Sequence, residues 1–134
     1  MLKIFKYDYH LIFKIIAILP YAKLLIFTKK IAYIEKWIAI HQNSNYHIDD
    51  YRYVKKVTRY TNKIAVFMPF KSLCYDKALT VKKIVNQNNI STELNMGVCK
   101  ENTQLKAHAW ISYHGYLLMG GANSKKYTAV RKII

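Results

Sequence analysis

Apolar residues recur at spacings of three and four through the first half of the chain, and at spacings of two further on. Residues 8–19, DYHLIFKIIAIL, and 21–40, YAKLLIFTKKIAYIEKWIAI, read as two helices separated near Pro20, because proline lacks an amide proton and crowds the preceding turn. In the second, Leu24, Phe27, Ile31, Ile34 and Ile38 form a stripe, with Lys23, Lys30 and Lys36 elsewhere on the circumference. Such a helix lays its apolar side on the domain, on a partner, or in a membrane interface. HQNSNYHIDD, residues 41–50, is a polar connection in which Asp49 or Asp50 can cap the next helix. That helix, residues 51–67, carries Tyr51, Val54, Val57 and Tyr60 or Thr61 as its stripe. A further helix opens after Ser72 as N-cap. Cys74, Ala78, Val81 and Val85 share its buried face, Leu73, Leu79 and Ile84 widen it, and Asn88-Asn89 ends it.

From there the period becomes two. ISTELNMGV, residues 90–98, places Ile90, Thr92, Leu94, Met96 and Val98 on one side of a strand. KENTQ reads as a loop. In LKAHAWISY, Leu105, Ala107, Ala109, Ile111 and Tyr113 share one face, while Lys106, His108, Trp110 and Ser112 share the other. His114-Gly115 makes a two-residue hairpin turn, glycine accepting a positive φ. Pairing outward sets Tyr113 opposite Tyr116, Ile111 opposite Leu118 and His108 opposite Gly121. Helices followed by a small antiparallel sheet make an α+β fold.

A chain of 134 residues, 52% apolar, builds one compact domain with a real core. Two prolines and four glycines leave no long linker. The 22 Lys and Arg against 7 Asp and Glu give a formal charge of +15, which favours an acidic partner such as nucleic acid, anionic lipid or an acidic peptide. The excess is spread along both halves without a run of like charge longer than two, so no dedicated nucleic-acid surface is expected. Lys14, Lys23, Lys29 and Lys30 interrupt the apolar N-terminal region. A spanning helix needs about 20 predominantly apolar residues, so none is expected there, and contact with a membrane surface stays open. Two cysteines, Cys74 and Cys99, are too few for a disulfide scaffold and lack zinc spacing. No metal or cofactor is implied, and a reducing cytoplasmic setting is the default.

The chemistry lies between Ser72 and Gly121. A helix N-terminus favours a thiolate, and a histidine brought beside Cys74 by the sheet completes a Cys-His pair, the minimum for thiol nucleophilic catalysis. The group that orients His108 should come from positions 120–123. The nearest polar side chain there is Asn123, and a backbone carbonyl or a water can do the same. Without such a pair, Cys74 is a small core hydrophobe and the chain a basic binding module.

The same stretch resembles the transglutaminase-like cysteine protease of lasso-peptide biosynthesis, in the form without a fused leader-recognition domain. The likeness rests on CYDKAL, a cysteine followed by an Ala-Leu helix, on NMGV closing a strand, on HAWIS, and on the hairpin HGYLLMGG. It implies a papain- or transglutaminase-like core over residues 61–134, behind a helical N-terminal region over 1–60. Cys74 would be the nucleophile and His108 its base, removing the leader peptide from a ribosomally made precursor. Two partners are implied as well: a separate leader-binding protein and an asparagine-synthetase-like cyclase. The pattern departs from many members at Gly120, where they carry an aspartate, and at Ser112, where they carry a glutamate. Asn123 then stands in as the orienting residue. Acyl transfer to an amine uses the same pair and is the alternative reaction.

Overall fold

The computed structural model describes residues 8–28, 31–38, 45–71, 74–119 and 128–133. Its described elements are α1 (Tyr9–Thr28), α2 (Ile31–Ile38), α3 (Ile48–Phe67), α4 (Cys74–Gln87), β1 (Glu93–Glu101), β2 (Gln104–Tyr113), β3 (Tyr116–Met119) and β4 (Thr128–Ile133). The architecture is α+β: helices packed on a small antiparallel sheet ordered β3-β2-β1-β4.

Helix α1 runs through Pro20 instead of breaking there. Leu11, Ile15, Leu19, Ala22 and Leu25 are all buried, and their spacing stays in phase across the proline. Burial along that line outweighs the hydrogen bond and ring clash that proline costs, about 3 kcal/mol. The stripe expected from Leu24 and Phe27 is corrected with it: both are exposed, and the inward phase is set by Ala22 and Leu25. Unbroken, α1 is long and apolar enough to cross a membrane by length and composition, contrary to the sequence expectation, yet one side of it is core. Asp8 caps it, its carboxylate accepting from the Leu11 amide at 3.1 Å. That bond, then the Lys56 ammonium 3.1 Å away, holds the Asp8 carboxyl below its ordinary range.

Helix α3 begins three residues earlier than the pattern indicates, and its cap is neither Asp49 nor Asp50. His47 occupies the extended N-cap position and its Nδ1 accepts from the Asp49 amide at 3.3 Å, which leaves both aspartates in the first turn, where the helix dipole favours them. Helix α4 is the centre of the molecule. Ala78, Leu79, Val81, Ile84 and Val85 join Val54 and Val57 of α3, Leu11 and Ile15 of α1, and Leu94, Ala109 and Ile111 of the sheet in one core. It ends as predicted at Asn88-Asn89. Asn89 takes φ 58°, and the Ile90 amide reaches back to the Val85 carbonyl at 3.1 Å, closing the last turn in the left-handed manner.

The sheet differs from expectation in four ways. The first strand, expected from Ile90, begins at Glu93. The KENTQ loop is only a two-residue turn: Asn102 and Thr103 take φ 50° and 66°, so β1 extends to Glu101 and β2 starts at Gln104. The His114-Gly115 turn is as predicted, at φ 46° and 85°, and Tyr113 pairs with Tyr116. A register shift between Ile111 and Ser112 then sets Ile111 opposite Met119, not Leu118, which turns Met119 into the core. Finally β4, unforeseen, pairs with β1 at the opposite edge from β3.

Candidate active site

Cys74 is the first residue of α4, a half-buried free thiol packed against the core. Its expected cap, Ser72, lies outside the described residues, but the end of α4 is held by a device the sequence reading missed. Asp76, in the first turn and only 1% exposed, accepts from Lys23 Nζ of α1 at 3.1 Å. The same ammonium donates to the Lys71 carbonyl at 2.8 Å and lies over the Phe27 and Phe70 rings. One cation thus ties α1, the segment entering α4, and the turn that carries the thiol. The pointers in sequence were a lysine, one of two inside an apolar helix, and an aspartate two residues after the cysteine. Neither alone implies the other.

His108 sits on β2, half-buried, opposite Gly97 of β1. Its ring stacks on Trp110 at 5.9 Å and 23°. Gly97 also marks a register shift between β1 and β4, and bulges of this kind re-aim neighbouring side chains. As alternation requires, the histidine shares its face with Trp110 and Ser112, while Ala109, Ile111 and Tyr113 turn to the core. On the histidine's face β1 contributes Glu93 and Asn95: Asn95 Nδ2 donates to Ser112 Oγ at 3.5 Å, and Ser112 Oγ donates to Glu93 Oε2 at 3.3 Å. Glu93 pairs directly with Ser112 across the ladder. A carboxylate is therefore present beside the position where the sequence shows serine, supplied by the neighbouring strand. The alternation of β1 groups Glu93 with Asn95, but only the two-residue turn at Asn102-Thr103 sets them against Ser112.

Helix α4, which carries Cys74, packs against β2, which carries His108, through the face of Ala109 and Ile111, while strand alternation sets His108 on the other face. Gly120, Gly121 and Asn123 lie outside the described residues, as does Ser72. Among the described residues no group of three or more His, Cys, Asp or Glu side chains is arranged to hold a metal ion. What the arrangement offers chemically is a cysteine at a helix N-terminus, whose free amides favour negative charge at sulfur or on an oxyanion.

Comparison with known proteins agrees with the fold. A family model described as Transglutaminase-like superfamily matches residues 19–132, a span that takes in Cys74, His108, β1 to β3 and all but the last residue of β4. Searches of curated proteins and of solved structures find no match to the chain.

Proposed function

Because this chain belongs to the transglutaminase-like superfamily, a group of cysteine peptidases and acyltransferases, we propose that it is a cysteine peptidase that removes the leader from a lasso-peptide precursor. The observation that carries the reading is Cys74 as first residue of the central helix, on the element packed against the strand of His108. A thiol-imidazole contact is part of the proposal, as is orientation of the imidazole by Asn123. The motifs CYDKAL, NMGV and HAWIS support the choice of substrate.

In this mechanism His108 takes the proton of Cys74, and the thiolate attacks the carbonyl carbon at the leader-core junction. Amides of the first turn of α4 donate to the oxyanion. His108 returns its proton to the nitrogen of the core as the C–N bond breaks, leaving the leader as a thioester on Sγ. Water, giving its proton to His108, then hydrolyses the thioester and frees the leader carboxylate. A separate leader-binding protein presents the precursor, and an asparagine-synthetase-like cyclase takes up the freed amine of the core.

The test is a mass measurement on precursor incubated with this chain and the leader-binding protein. Two fragments whose masses sum to precursor plus water are expected. Cys74→Ala should give none, and His108→Ala should slow the reaction by about 10²- to 10⁴-fold. A leader fragment carrying an added amine would instead assign acyl transfer. Cleavage by Cys74→Ala at the original rate would remove the thiol mechanism.

A further inference from the structure

Helix α1 is apolar on both sides. Opposite its buried line, Phe13, Ile16, Pro20, Leu24 and Phe27 succeed one another at spacings of three and four, and Phe13, Leu24 and Phe27 are 69%, 56% and 75% exposed. We infer that this outward face is a docking surface for an anionic phospholipid bilayer, on which the helix lies in the plane of the interface. This goes beyond the peptidase reading and does not rest on it.

Three observations select that occupant. The face is continuous: residues 13, 16, 17, 20, 24 and 27 are Phe, Ile, Ala, Pro, Leu and Phe, and the exposed Tyr9 and Tyr21 beside them carry amphipathic rings of the kind that sit at headgroup level. A specific protein interface ordinarily carries about one hydrogen bond per 100–200 Å², whereas the acyl region of a bilayer needs none. Each border carries a lysine. Lys14, with His10, flanks one side, and on the other Lys63 lies in an open, otherwise apolar and aromatic groove between α1 and α3 lined by Ile12, Tyr60, Ile64 and Phe67. No acidic residue occurs from Tyr9 to Thr28, and the whole chain carries +15, so the charge complements anionic headgroups. Finally, the helix satisfies the length and composition of a span, yet Leu11, Ile15, Leu19, Ala22 and Leu25 belong to the core or are equally buried. Crossing the membrane would empty that core, while lying on it leaves the core intact.

The experiment is co-flotation of the full-length protein with vesicles of phosphatidylcholine alone and of phosphatidylcholine mixed with phosphatidylglycerol. Binding to the mixed vesicles is expected, with much weaker binding to the neutral ones. Phe13→Ser with Phe27→Ser should weaken it by about tenfold or more, given the apolar area each ring removes from water. Leu105→Ser, which removes an equally exposed apolar residue on β2, should leave it unchanged. Circular dichroism checks that the double variant is folded, and Leu24→Ser replaces it if it is not. Three results overturn the inference: no flotation by the parent protein, flotation that the serine variants leave unaltered, or a parent protein that is dimeric at assay concentration and that the variants dissociate. The first rejects the surface, the second leaves charge alone as the cause, and the third assigns the face to a second copy.

Discussion

Lys82 is a buried lysine that weighs against stability. It lies on α4 with no exposed surface, its Nζ donating to the Thr92 carbonyl. Burial pulls its pKa down to about 8, partly opposed by the Glu93 carboxylate. A basic group depressed from 10.5 to about 8 binds fewer protons folded than unfolded between those values, so the unfolding free energy rises with pH across that window. Below pH 8 the full penalty stands, on the order of 3 kcal/mol at 1.36 kcal/mol per unit. Urea titrations from pH 7 to 10 should show that rise, and Lys82→Met should flatten it. An unchanged slope in the variant would assign the pH dependence to other groups. Sequence alone puts Lys82 on the same helix as Cys74 but gives no sign that it is buried, because its neighbours Val81 and Ile84 account for the apolar stripe without it. The catalytic candidates are the opposite case. The places of Cys74 as first residue of α4 and of His108 on β2 were legible in the sequence, since each needs only local pattern. Glu93 was not, since its relation to Ser112 depends on a register fixed elsewhere.

At the scale of elements, the clearest difference between pattern and structure is at Pro20. A local rule ends the helix there, and the packing of Leu19 and Ala22 on either side carries it on. Pro20→Ala restores an amide that can donate to the Ile16 carbonyl and removes the ring clash. It should therefore stabilise the protein by about 1–3 kcal/mol, read as a higher urea midpoint at constant slope. A destabilised variant would mean that the ring's own contacts outweigh the backbone. The Lys23 clamp predicts the reverse sign. With Asp76 buried, Lys23→Met leaves a carboxylate without its cation, and loss of about 3–5 kcal/mol is expected. The double variant Lys23→Met with Asp76→Asn should recover part of it. If both variants fold, iodoacetamide alkylation of Cys74 should change in Lys23→Met and return toward the parent rate in the pair, because the clamp holds the turn that carries the sulfur.

At the scale of the whole molecule, two joints between helices and sheet stand out among the described residues. One is α4 on β2 and β1, the element that carries Cys74 against the strand that carries His108. The other is aromatic: Tyr46, before α3, lies 5.6 Å from Tyr113 and 6.0 Å from Tyr116, and Tyr51 of α3 meets Tyr116 edge-on at 5.4 Å. Alternation in the sequence foretold that Tyr113 faces inward, but not that it meets a segment 66 residues earlier in the chain. For the same reason β4 went unseen: its place at the edge beside β1 is a property of the assembled sheet and not of any local period. Tyr113 also makes the polar part of this joint, its hydroxyl accepting from the His47 amide at 3.0 Å. Burial raises its pKa, so it remains a neutral hydroxyl through the physiological range. Tyr113→Phe keeps the ring packing and deletes both that acceptor and the donor to the Asn45 carbonyl at 3.4 Å, so the cost should be that of one good and one long hydrogen bond, about 1–2 kcal/mol. Hydrogen exchange can locate the loss. If the aromatic joint opens independently of α4 on β2, the His47 amide should exchange faster in the variant while amides of α4 keep their protection. Uniform acceleration across α3, α4 and β2 would show instead that both joints open only in global unfolding, which would make the hairpin and the candidate site one cooperative unit.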